Sequence, residues 1–321
     1  MLDVFAQAFS STLSALVVVF LVVVFAGALV RMKVISQQQI GGLATVTVAI
    51  FLPCLIFSNV LDNFEPSALP MWWVIPLVGV LIPCVGLVLG ALVFARELPE
   101  KRNLLPLASM QNAGYLVLPV GLALYPAEFE TFALYCFLFI LGYNPVLWSV
   151  GKLLTTGGGG SRTSWRGLLT PPLLANVVAV AMVLTGGNRL VPRVVVDAVE
   201  LLGRGAVPVA TFVLGAVLGS ISLRIRPYLF DAVRVLVVKL GLLPLLMVLA
   251  LVLTGLGETQ PLLARFLVIE SAAAPAAGLI LQVRSYGGDE TKIGSLMFLS
   301  YLACAVTMPL WLAVWNALSA T

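Results

Sequence analysis

The sequence predicts an all-α polytopic membrane protein of ten transmembrane helices. They form two inverted repeats of five, with helices 4 and 9 broken and crossing. Three observations carry this reading. Of 321 residues, 61% are hydrophobic and only 10% charged, against the roughly 25% charge that covers a soluble domain. Apolar stretches of about 20 residues, each able to cross a bilayer core of about 30 Å, recur along the whole length. Prolines recur in matching order on either side of a glycine-rich linker. The short segments of alternating polarity that mark a β-barrel are absent.

The ten segments fall near residues 11–30, 39–60, 70–94, 104–124, 130–150, 171–186, 198–220, 229–254, 261–283 and 292–317. The first is preceded by one charge, Asp3, and followed by Arg31 and Lys33. That is the reverse of a signal peptide, so a retained helix with its N-terminus outside is expected. The second carries Pro53 in FLPCL and closes on Ser58 and Asn59, residue types that cap helices or bond between them. The third carries Pro83. The fourth holds QNAGYLVLP, residues 111–119, in the middle of an apolar run. The fifth places Asn144 before Pro145. TTGGGGSRTSWRG, residues 155–167, then reads as a flexible linker. It separates a first repeat, 1–154, from a second, 171–321, with the linker taken as 155–170.

Segment seven follows an amphipathic stripe, Arg193, Asp197, Glu200 and Arg204, expected to lie at the interface with its charges paired along one face. The eighth holds Lys239 and Pro244, the ninth ESAAAP (270–275), and the tenth Pro309. The proline pairs 53/208, 83/244, 119/275 and 145/309 are separated by 155, 161, 156 and 164 residues. Each half has an odd number of crossings, so related halves sit upside down relative to each other, the mark of secondary transporters. Charge supports the count. Thirteen of the eighteen basic residues fall at loops or loop ends on one side: Arg31, Lys33, Arg96, Lys101, Arg102, Lys152, Arg162, Arg166, Arg224, Arg226, Arg234, Arg284 and Lys292. Arg189, Arg193 and Arg265 fall on the other. The first side is cytoplasmic by the positive-inside rule, and both termini are outside.

QNAGYLVLP and ESAAAP occupy corresponding places. Each puts polar groups before a helix-breaking proline at mid-segment depth. Backbone groups freed there must be buried in protein or line a cavity. Broken helices in corresponding positions cross near the midplane, where half-helix N-termini carry partial positive charge. Gln111, Asn112, Gly114, Tyr115, Pro119, Ser271 and Pro275 are therefore expected at a transport site, with Asn144 on the polar path. Tyr115 either gates the break or packs beside it. A β-branched side chain at Gly114 is expected to crowd the crossing.

Glu270 lies about 14 Å into the membrane and Lys239 about 15 Å. Charges at that depth persist where they are paired, hydrated or used. Lys239 balances a carboxylate substrate, or the two form a structural ion pair. Burial penalises the charged carboxylate, which equips Glu270 to carry a proton without histidine, of which the chain has none. A sodium site, needing several oxygen ligands, remains the alternative. Cys54, Cys84, Cys136 and Cys304 sit in different segments and read as small buried hydrophobes. No catalytic residue, metal site or cofactor is expected. No paired acidic motif supports hydrolysis, and no GxxxxGK[ST] supports an ATP-driven pump. A channel through the same crossing would need charged rings or a repeated filter sequence, and neither occurs.

LPCLIFSNV, NAGYLVLPVG and ESAAAPAAGLILQVRSYGGDE, with Tyr286 and Gly287 in the last, resemble the auxin efflux carrier family over essentially the whole chain. The resemblance implies two inverted five-helix repeats similar to bile acid symporters and sodium/proton antiporters. It implies elevator-type secondary active transport of a small organic anion, malonate- or auxin-like, across the plasma membrane, the inner membrane in a bacterium. The short linker departs from the long hydrophilic loop of many plant carriers and favours the bacterial branch. The expected partners are the anion, a proton or sodium, and the lipid bilayer. Nucleic acid is not one, and a homodimer is left open.

Overall fold

The computed structural model describes residues 2–157 and 169–319 and is all-helical among them. Most of the expected linker, with Arg162 and Arg166, lies outside the described residues. Seven helical stretches are long and apolar enough to cross a membrane. These are α1 (Leu2–Arg31), α2 (Gln37–Asn63), α3 (Val74–Val93), α6 (Pro126–Thr155), α8 (Arg193–Gly203) running into α9 (Ala206–Gly219), α10 (Arg226–Thr254) and α13 (Glu290–Ser319). The other three expected segments differ. Segment four splits into α4 (Leu105–Ser109) and α5 (Val117–Leu124), and segment nine into α11 (Pro261–Ala272) and α12 (Gly278–Tyr286). Segment six is one helix, α7 (Pro171–Leu184), of 14 residues. At 1.5 Å per residue that is about 21 Å, short of a full core.

Local chemistry explains the helix starts and bends. Ser36 and Gln39 form a reciprocal capping box at the head of α2. Widened π turns occupy Thr47–Phe51 just before Pro53, Val237–Leu242 just before Pro244, and Leu147–Gly151 just after Pro145. Pro244 cannot donate to Leu240, and the indole of Trp311 donates to that carbonyl instead, at 2.7 Å. The stripe leading into segment seven is helical and internally paired, with Arg193–Asp197 at 2.7 Å and Arg204–Glu200 at 2.9 Å. Arg193 also reaches Asp62 on α2 at 2.6 Å. Asn59 bonds between helices, donating to the Glu130 carboxylate of α6 at 2.7 Å.

Several interfaces are packed so closely that only glycine fits. A Cβ on Gly219 of α9 would lie 2.5 Å from Gly27 Cα of α1, and one on Gly142 of α6 would lie 1.9 Å from the Pro76 carbonyl oxygen of α3. The α11 half-helix is fastened to α6 by aromatic edges: Phe266 meets Phe132 and Phe139 at centroid distances of 5.4 and 6.0 Å. At the end expected to be cytoplasmic, Asp231 of α10 binds Lys101 and Arg234, each at 2.6 Å, and Arg234 reaches Glu97 at 3.1 Å. The Arg234 hydrogen bond holds the Glu97 carboxyl below the usual carboxylate range.

Candidate functional site

Four half-helix ends meet where α4/α5 crosses α11/α12. The strand-like breaks run antiparallel and pair through Gln111 and Pro275. Asn112 N–H donates to the Ala274 carbonyl at 2.9 Å, and Ala276 N–H donates to the Met110 carbonyl at 3.1 Å. Groups that would be orphaned in lipid thus satisfy one another.

Side chains from α6 and α13 complete the account. Tyr143 donates to the Gln111 carbonyl at 2.6 Å, and the Cys136 thiol donates to the Ala113 carbonyl at 3.0 Å. On α13, the Tyr301 hydroxyl accepts from the Asn112 amide and donates to the Pro275 carbonyl at 3.0 Å, joining both breaks through one atom. The Cys304 thiol faces the Ala272 carbonyl at 3.5 Å. Asn112 also turns its side-chain oxygen back onto Tyr115 N–H at 3.1 Å. These two tyrosines and two cysteines were not singled out by the sequence as site residues. The only available hint was Tyr143 standing next to Asn144–Pro145.

One wall of a cavity of about 560 Å³ is built by this crossing. Gln111, Asn112, Gly114, Tyr115 and Asn144 all line it, with Ala276 and Gly278 from the second break. The opposite wall comes from α2 (Thr45, Val48, Leu52 and Ile56), and Phe137, Ile140 and Trp148 of α6 close the side. No charged side chain is among the described lining residues. The Gln111 side chain is fully buried, and neither its oxygen nor its nitrogen has a hydrogen-bond partner in the protein; the Tyr115 hydroxyl also has none. The first turns of α5 and α12 begin at this wall and bring the positive ends of two half-helices to it; Val117 N–H donates to the Asn112 carbonyl at 3.3 Å and Leu279 N–H to the Ala276 carbonyl at 3.1 Å. A Cβ on Gly114 would meet nothing within 4 Å. The crowding expected at Gly114 is therefore corrected: the residue faces open cavity, not packed backbone.

The remaining candidates do not line the cavity. Lys239 is fully buried and donates to the Ser271 carbonyl at 3.1 Å. That carbonyl belongs to the last turn of α11, where the half-helix carries partial negative charge, so the ammonium caps a helix C-terminus. The Ser271 hydroxyl donates to the Val268 carbonyl at 2.9 Å. Glu270 is fully buried and neither carboxylate oxygen has a partner. Between Glu270 and Lys239 no nitrogen and oxygen come within 4.0 Å, so the ion pair left open by the sequence is not formed. Pro119 is buried in the first turns of α5, and Pro275 sits in the backbone pairing itself.

The sequence model of a family described as membrane transport protein matches this chain twice, over residues 11–164 and 160–312. Protein PIN-LIKES 1 of Arabidopsis thaliana is 29% identical over 159 residues, a match covering 46% of this chain and 33% of that protein. The matched region thus spans about a third of the relative's length.

Proposed function

The chain belongs to the membrane transport protein family, the auxin efflux carriers its motifs resemble, and from that premise we propose a secondary transporter of small organic anions working by alternating access. The observation that carries the reading is the hydrogen-bonded crossing of two interrupted helices at the wall of a 560 Å³ cavity. In this reading the chain crosses the plasma membrane ten times, counting each broken segment as one crossing, with both termini outside. Residues 1–154 and 171–321 are the inverted repeats, and the two family matches, each over about half the chain, support that division.

The cavity's lining suits one carboxylate on an apolar body better than a dicarboxylate. The oxyanion faces the N-termini of α5 and α12 with the Gln111 and Asn112 amides and the Tyr115 hydroxyl, while Ile56, Leu118, Phe137 and Trp148 take the apolar part. No basic side chain is there for a second negative charge. The cavity lies beside the helix ends next to Lys152 and Arg284, and by the positive-inside rule this conformation is read as inward-facing. Elevator movement is supported by the placement of the close-packed contacts. Glycine locks α1 to α9 and α3 to α6, and the cavity lies between the first half of α2 and the crossing with the second half of α6.

Glu270 is the proposed proton carrier. Its carboxylate is buried without a partner, whereas the Ser271 carbonyl a sodium ion would need is engaged by Lys239. Proteoliposome uptake of labelled indole-3-acetate and malonate, with imposed pH or sodium gradients, tests the whole reading. Uptake of the monocarboxylate driven by the pH gradient is expected. Glu270→Gln is expected to keep binding and lose the response to pH. Uptake driven by sodium alone would overturn proton coupling, and no uptake of any carboxylate would overturn the substrate class.

A further inference from the structure

A second cleft, of about 600 Å³, lies at the opposite end of the molecule from the open side of the transport cavity. It is formed by the N-terminal turns of α1, the end of α5, the start of α11 and the end of α13. Its polar lining includes Gln7, Thr12, Tyr125, Arg265 and Asn316, and its apolar floor Val4, Ala8, Ala15 and Leu124. Arg265 is the one charged residue among its described lining. No described carboxylate approaches that guanidinium within 4.0 Å, and the side chain lies toward the Tyr125 ring, 5.9 Å from its centroid.

The rest of the described cations make this one distinctive. Lys101, Arg193, Arg204, Arg234, Arg284 and Lys292 have carboxylate partners. Lys239, Arg31 and Arg102 donate to carbonyls, and Lys152 lies over Tyr286. Lys33, Arg96, Arg189, Arg224 and Arg226 are exposed to solvent. Among the described residues, Arg265 alone is half-buried in a cleft with no described carboxylate opposite it. A comparable cleft of about 460 Å³ between α2, α6 and α8 shows the contrast. It holds two arginines, and both are bonded to its own acids, Arg193 to Asp62 and Arg204 to Glu200.

We propose that the Arg265 cleft binds a phosphate-type oxyanion carrying an apolar tail, such as an acidic phospholipid headgroup or a soluble phosphate ester. Arginine's planar fork suits a phosphate. Gln7, Thr12, Tyr125 and Asn316 line the same cleft, and the apolar floor accepts the start of an acyl chain. The cleft joins α1 to α5, α11 and α13, so an occupant would brace helices from both repeats.

The test is thermal unfolding of the full chain in neutral detergent with added phosphatidylglycerol, phosphatidylcholine or inorganic phosphate at constant ionic strength. Phosphatidylglycerol near saturation is expected to raise Tm by about 5 °C over phosphatidylcholine. Arg265→Gln is expected to abolish that difference while keeping Tm in phosphatidylcholine, and Arg265→Lys to retain part of it. Arg193→Gln, in the internally paired cleft, should leave it intact. An equal rise with inorganic phosphate identifies the soluble anion as sufficient and supports the site. A phosphatidylglycerol effect that survives Arg265→Gln, or no response to either anion, would overturn it. If Arg265→Gln fails to fold, native mass spectrometry of lipid retained by Arg265→Lys and by Asn316→Leu decides in its place, and undiminished retention in both overturns the proposal.

Discussion

The two breaks pair with each other, yet they are built from different material. The first, between α4 and α5, carries Gln111, Asn112, Gly114 and Tyr115, and all four border the cavity. Its Gln111 amide is buried with nothing to bond. The second, between α11 and α12, is almost all alanine, with Ala272, Ala273 and Ala274 fully buried. Most of its polar groups are spent internally, Lys239 on Ser271, Cys304 on Ala272 and Tyr301 on Pro275, and the Glu270 carboxylate beside it is buried without a partner. Two breaks that pair with each other thus come to serve different ends. The first break keeps the Gln111 amide and the Tyr115 hydroxyl unsatisfied beside the cavity, and the second is mostly alanine, whose backbone gives the first a firm rail.

That difference gives the largest expected effect. Gln111→Ala should remove a side chain whose hydrogen bonds the protein itself does not use. Uptake at limiting substrate should fall by about tenfold or more, the loss of one polar contact to a charged group, while Tm stays near the parent's. A matched change in the second break, Ala274→Ser, places a hydroxyl in a fully buried position and should lower Tm with little direct effect on affinity. If Gln111→Ala takes up carboxylate like the parent, the asymmetry has no bearing on substrate.

The next effect concerns the rail. Lys239→Met deletes the cation at the α11 C-terminus and leaves the Ser271 carbonyl buried without its donor. A cost of about 2 kcal/mol in stability is expected. Thermal unfolding measures it, and residual uptake per folded molecule separates it from a substrate role. Strong loss of uptake with unchanged Tm would return Lys239 to the substrate.

Much of this was legible in the sequence because it is locally encoded. Span lengths follow from hydropathy. The interruptions just before Pro119 and around Pro275 follow from the polar residues and the missing donors there. The stripe from Arg193 to Arg204 follows from helical spacing. What was not legible depends on distant partners. The register that sets Gln111 against Pro275, the phenols of Tyr143 and Tyr301 and the thiols of Cys136 and Cys304 are fixed only when α6 and α13 pack on the crossing. Lys239 was recognised as buried, but two depths cannot say whether an ammonium meets a carboxylate or a helix end. Gly114 misled for a related reason. A glycine in a break suggests close packing, whereas this one borders open space.

The smallest effect tests whether the breaks are coupled as well as paired. Tyr301 holds both, through Asn112 and the Pro275 carbonyl, whereas Tyr143 holds only the first, through the Gln111 carbonyl. Removing either hydroxyl leaves the ring volume in place, so packing is nearly unchanged. At about 1 kcal/mol per hydrogen bond, Tyr301→Phe should cost about 2 kcal/mol and Tyr143→Phe about 1. The informative quantity is the double-mutant cycle with Asn112→Ala. Asn112 and Tyr301 share a bond, so their losses should be less than additive. Asn112 and Tyr143 bond different groups of the first break, so theirs should be nearly additive. Full additivity in both pairs would mean that the phenol of α13 does not join the breaks in the working protein, and that backbone pairing alone holds the crossing together.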